Sequence, residues 1–278
     1  MRFDRVIIVD WSASNAPSAA SPRADAIWIG VQDRAGVSAQ YHRTRHSAEG
    51  FLQGQIAQTL AAGERALIGF DFPLGYPAGF AHALTGVADV RQIWAYLAAN
   101  IIDTATNQNN RFHVANAVNA QFGKGPFWGR PAGMTMSHLP AKKDVDYAAL
   151  PFAERREIER RIPRAQPVWK LFTTGSVGSQ SLMGLPMIHR LSGIKGVCVW
   201  PFDPPNHPVV LAEVYPSLLA AAVQASGDAI KDRAQVLLLA QSLGQVNGDI
   251  MARLLAPQDR EEGWILGADM GDLLAAAL

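Results

Sequence analysis

Apolar positions along the chain change their period several times, and each change marks an element. "RVIIVD" begins with the four consecutive β-branched residues Val6 to Val9. A run this short and apolar at every position predicts a strand buried on both faces, here spanning 4–10. "AIWIGVQ" (26–32) and "VSAQYH" (37–42) follow, the second joint being "DRAG", and predict an antiparallel meander. "SAEGFLQGQIAQTLAAG" then switches to helical spacing, with Phe51, Ile56 and Leu60 on one face, Ser47 as N-cap and Gly63 as the stop. "ALIGFDFPLGYP" returns to a short apolar strand halted by Pro73. The predicted order so far is β β β α β, with Asp10 closing the first strand and Asp71 the fourth.

From about 75 to 206 the pattern is irregular, and its length and proline content predict an insertion between the fourth and fifth core strands. Within it are a helix around 88–103, the polar loop "TNQNNRF", the segment "FGKGPFWGRPAG" and a short charged helix near 152–162. "PVWKLFTTGSVGSQSLMGLPMIHRL" then runs into another helix. After that helix come the apolar "GVCVWPF", the strand "PVVLAEVYP" and helices at about 217–226 and 229–244. The closing "GWILGADMGDLLAAAL" predicts a last helix whose first turn carries Asp269 and Asp272. No internal repeat appears. The chain therefore reads as one α/β domain over 1–278.

Composition narrows the picture. A chain of 278 residues with 49% hydrophobic content can bury a proper core. No run of 18 apolar residues occurs and the N-terminus has no secretory pattern, so a cytoplasmic protein with no membrane span is expected. The single cysteine, Cys198 in "GVCVW", cannot form an intramolecular disulfide and reads as a buried thiol. The net charge of +1 hides an asymmetry. Residues 107–170 hold 11 Lys or Arg against 5 Asp or Glu, and the remainder holds 14 against 19. A basic segment beside an acidic site suits a phosphate-bearing substrate.

The acids form the pattern with most chemical content. Asp10 and Asp71 end strands, Glu213 lies near the end of "VVLAEVYP", and Asp269 and Asp272 are three apart on one helix face. Each has an ordinary explanation taken singly: turn residue, strand-end acid, or helix N-terminal charge. Carboxylates gathered at one place repel one another, and a hard divalent cation, Mg²⁺ or Mn²⁺, relieves that repulsion. Two such ions form the clamp that cleaves phosphodiesters.

The predicted order and these acids resemble the RNase H-like fold. "DMGDLLAAA" is similar to the D-x-x-D-x-L-x-x-A helix of the Holliday-junction resolvase branch. "VDWSAS", "GFDFPLGYP", "EVYPSLL" and "GADMGDLLAAAL" together resemble an uncharacterised family of predicted nucleases with that fold, over nearly the whole chain. The resemblance implies a mixed sheet and metal-dependent phosphodiester hydrolysis. It implies Asp10, Asp71 and an acid of the last helix as ligands, Glu213 adjoining them, with Asp272 favoured as the direct ligand and Asp269 behind it. Water would be the nucleophile and nucleic acid the partner.

Weaker features complete the set. "WKLFTTGSVGSQ" offers Lys170 and a Gly/Ser loop, Gly175, Ser176 and Gly178, that could cradle a phosphate ahead of a helix, with Arg130 and Arg164 extending a positive track. An ordinary loop and cap explain the same residues. Trp128 and Trp169 could stack on bases or pack in a core. The alternatives to a nuclease are a phosphotransferase or ATPase on the related actin-like core, and a binding protein with a vestigial site. Against the first, "WSASNAPSAASPRAD" is Ser/Ala-rich where a glycine-rich phosphate hairpin is expected, and no second copy of the domain follows.

Overall fold

The computed structural model describes residues 1–162 and 164–278. In chain order the elements are β1 (Arg5–Asp10), β2 (Ile27–Asp33), β3 (Gly36–His42), α1 (Arg45–Ala61), β4 (Ala66–Phe70), α2 (Phe80–Thr85), α3 (Val90–Asn100), α4 (Arg111–Gln121) and α5 (Glu157–Arg161). They continue with α6 (Val177–Ser192), β5 (Val197–Val199), β6 (Val209–Glu213), α7 (Ala220–Ala225), α8 (Lys231–Gln245), α9 (Gly248–Leu254) and α10 (Gly271–Ala275). The protein is α/β, with six strands in one mixed sheet of order β3-β2-β1-β4-β6-β5. β1, β2 and β3 form the antiparallel meander, whereas β1/β4, β4/β6 and β6/β5 pair in parallel.

Burial on both sheet faces explains the unbroken apolar runs. Ile7, Val9, Ile68, Phe70 and Leu211 face a core shared with α1, α3, α4 and α6. Val6, Ile8, Trp28, Leu67 and Val210 face a second core shared with α8 and the C-terminal segment. Helix α8 crosses β1 and β2 closely. Gly30 permits that approach, since a Cβ there would lie 2.3 Å from the Val236 carbonyl oxygen. The contact fixes the first turn of α8 over the C-terminal end of β1.

Several elements depart from the sequence expectations. Helix α1 starts two residues before Ser47: Thr44 is its N-cap, the Thr44 side chain accepting from the Ser47 N–H. The segment 75–206 is more than a layer packed on the core, because β5 lies within it and completes the sheet edge. Helix α4 begins in sequence expected to be a polar loop, and α9 lies in a stretch for which no element was expected. The last helix is only Gly271–Ala275, so Asp269 lies in the turn before it and does not share a helix face with Asp272. No helix of the described residues is long and apolar enough to cross a membrane.

Candidate functional site

Parallel pairing places the two strand-end acids side by side. Val9 pairs with Phe70, and the Asp71 N–H donates to the Val9 carbonyl at 2.9 Å, so the ladder carries on to bring Asp71 beside Asp10. Residues alternate across a strand, so both acids leave the sheet on the α8 side. Both line a cleft of about 680 Å³ together with Asp25, Asp232, Arg111 and the loop from Leu171 to Ser176. Asp232 comes from the first turn of α8, and its carboxylate accepts the Asp25 N–H at 2.7 Å.

Two adjacent side chains of α6 hold the loops behind these acids. Gln180 donates to the Trp11 carbonyl at 2.6 Å and Ser181 to the Pro73 carbonyl at 2.9 Å. Arg45, 2% exposed, clamps the loop after β1 from the other side, donating to the Ser12 and Ser14 carbonyls while its fork closes on Asp103. The acids are therefore mounted on braced backbone.

Electrostatics within the cleft are strained. The carboxylates of Asp10 and Asp71 have no hydrogen-bond or ion-pair partner among the described residues. Burial, then the charge of Asp71, raises the Asp10 carboxyl well above the usual carboxylate range. Burial, then the charge of Glu213, pushes Asp71 up to about 7. Burial likewise raises Asp232, against the opposing effect of the Asp25 N–H. Arg111 lines the same cleft and donates from Nε to Ser179 Oγ at 3.0 Å and from Nη1 to Asn109 Oδ1 at 2.8 Å. Burial lowers its guanidinium to about 10, so it stays cationic at neutral pH.

The remaining expected residues are placed elsewhere or otherwise engaged. Glu213 is buried, and both its oxygens are taken by the Arg156 guanidinium at 2.7 and 2.8 Å. It also accepts the Leu74 N–H, so it ties down the segment after Asp71 from outside the acidic cleft. Asp269 and Asp272 are exposed in a shallow depression with Leu218 that shares no lining residue with the cleft, which corrects their expected place beside Asp10.

On the basic side, Gly175 and Ser176 line the cleft, the former at a φ of 74°. Gly178 is a packing glycine: a Cβ would sit 2.1 Å from the Val168 carbonyl oxygen. Lys170 donates to the Thr174 carbonyl and lies over the Trp128 ring, Arg130 donates to the Leu139 and Met134 carbonyls, and Arg164 is exposed; none of the three lines the cleft. The positive track expected through them is therefore not assembled there. Much of the basic excess pairs locally instead, Lys124 with Asp144, Lys143 with Glu154, and Arg160 and Arg161 with Glu157.

Asp232, Asp25 and Arg111 were not singled out from the sequence. Asp232 had a usable signal, being an acid in the first turn of the long helix that follows the last core strand; Arg111 had none, lying in a stretch read as a loop. Among the described residues no group of three or more His, Cys, Asp and Glu is arranged to hold a metal ion. Asp10 and Asp71 alone still fit one. They are hard oxygen donors without an ion-pair partner among the described residues, and Mg²⁺ is commonly held by one or two carboxylates, with water and substrate phosphates filling the rest of its shell. Comparisons with protein-family models, with curated proteins and with solved structures find no match.

Proposed function

We propose that this chain is a divalent-metal-dependent nuclease on an RNase H-like core, with Asp10 and Asp71 as its principal metal ligands and Asp232 as the third acid. One observation carries the reading: two carboxylates at neighbouring parallel strand ends share a cleft, both are raised by burial and by nearby acids, and neither side chain has a hydrogen-bond or ion-pair partner among the described residues. The sheet order, with an antiparallel meander joined through β1 to parallel β4 and β6, supports the same core.

In this reading Asp10 and Asp71 hold Mg²⁺ or Mn²⁺ through carboxylate oxygens, and Asp232 faces the same space from α8. A divalent ion held there would supply polarisation of a phosphoryl oxygen and a lowered pKa for its bound water. Arg111 holds a substrate phosphate from the same cleft through Nη2, the guanidinium nitrogen left without a described partner. Gln180, Ser181 and Glu213 keep the two acid-bearing segments in register through the Trp11 carbonyl, the Pro73 carbonyl and the Leu74 N–H. No covalent intermediate is required.

The test is cleavage of labelled single-stranded, duplex and branched nucleic acids with Mn²⁺, comparing wild type with Asp71→Asn. Cleavage by the wild type and none by the variant is expected. Wild-type protein that cleaves nothing in the panel, yet hydrolyses ATP or phosphorylates a small molecule, would overturn the reading.

A further inference from the structure

The large hydrophobic side chains exposed among the described residues are Met1, Val37, Val87, Ile102, Phe172 and Leu278. Phe172 is the one aromatic among them, at 41% exposure, and it lines the cleft that holds Asp10 and Asp71. The two tryptophans that the sequence offered for stacking do not. Trp169 is fully buried, packed against Tyr76, Phe80 and Phe127, and Trp128 is half-buried under Lys170 outside the cleft.

The exposure of Phe172 is imposed by braced backbone on both sides. Leu171 before it is buried, its N–H donating to the Trp128 carbonyl at 2.9 Å and its carbonyl accepting from Ser179 Oγ at 2.6 Å. Thr173 after it takes a φ of 74°. A cation stands one ring away. Phe112 meets it edge-on at 6.5 Å between centroids, and the Arg111 guanidinium lies 4.3 Å from the centroid of Phe112. Arg111 Nη2 makes no bond to a described residue, and Arg111 lines the same cleft.

We propose that Phe172 is a stacking platform for an unpaired nucleobase, with Arg111 taking a phosphate of the same strand, so that the cleft selects single-stranded nucleic acid or unpaired nucleotides. The inference rests on the nuclease reading and adds the class of substrate to it. A flat aromatic face beside a cation is the chemistry that holds single strands without regard to sequence, because every base has a π-face and every nucleotide a phosphate. A base lying on a side chain has left its own stack, which a paired duplex resists. The cleft volume falls within the roughly 300–1,000 Å³ of sites that enclose a small ligand, which suits a single splayed nucleotide.

The test measures binding by fluorescence anisotropy in the Asp71→Asn background, with Mg²⁺, on a short single strand, its duplex and an abasic strand of equal length. The single strand should bind more tightly than either of the others. Phe172→Ala should weaken its binding roughly 5- to 100-fold, and Phe172→Trp should restore it. Three outcomes would each overturn the proposal: unchanged affinity in Phe172→Ala, equal losses in the Ala and Trp variants, or duplex bound as tightly as single strand. Cleavage of the abasic strand by wild-type protein with Mn²⁺, absent in Asp71→Asn, is read in parallel because that substrate has phosphodiesters and no bases. If the abasic strand is cleaved while Phe172 proves indifferent, stacking alone is refuted. If no strand of any kind is cleaved, the nuclease reading fails even where Phe172-dependent binding stands.

Discussion

Asp71 is a carboxyl whose protonation is set by its neighbours. Burial and the charge of Glu213 push it up to about 7, and burial and the charge of Asp71 raise Asp10. A carboxyl with a folded-state pKa above its unfolded value favours the native state at low pH and loses that contribution as pH rises. For Asp71 the window runs from the ordinary value of 3.8 to about 7. The melting temperature of chelator-treated protein should therefore fall across that window, and saturating Mg²⁺ should restore it at the upper end. Asp71→Asn should melt at or above wild type at pH 8 while flattening the slope, with a gain of a few degrees for each kcal/mol of repulsion relieved. Thermal scans at several pH values decide it; a variant melting well below wild type at pH 8 would mean that Asp71 carries a structural bond.

At the scale of elements, the sheet was legible and the identity of the third acid was not. The strands at 4–10 and 26–32 stand out because each is apolar enough to be buried, the mostly exposed edge strand at 37–42 follows from the short turn before it, and Pro73 falls just beyond β4. Asp10 and Asp71 could be read as strand ends for the same reason. Which helix comes to lie over those ends depends on long-range packing that no local pattern encodes. "DMGDLLAAA" has the better motif, yet it folds as five residues remote from the cleft, whereas Gly30 allows α8 to lie on β2 and carry Asp232 to it. The Arg111 wall stayed hidden because "NQNNRFHVANAVNAQ" has too many polar residues to announce α4. The two acids separate by mutation. Asp232→Asn should lower Mn²⁺-dependent cleavage by roughly 10- to 1,000-fold, the scale of losing one charge-stabilising group, whereas Asp272→Asn should stay within about twofold of wild type. Equal losses in the two variants would contradict the assignment of Asp232.

Across the whole molecule, the uneven distribution of charge reads differently once folded. Most cations of 107–170 neutralise acids near them or hold carbonyls, and Arg111 alone of that segment's cations lines the acidic cleft. The Arg156 guanidinium, buried between Glu159 and Glu213, keeps β6 and α5 together beneath that cleft. Such a core permits carboxylates to remain close only where something satisfies them, and Asp10 and Asp71 are the pair left without a protein partner. The direct measurement is anomalous diffraction from a crystal soaked in Mn²⁺ at a concentration that supports cleavage. A Mn²⁺ peak bounded by the carboxylates of Asp10 and Asp71, on the side facing Asp232, is the expected result. Peaks confined to Asp269 and Asp272, or no peak at the strand ends, would contradict it.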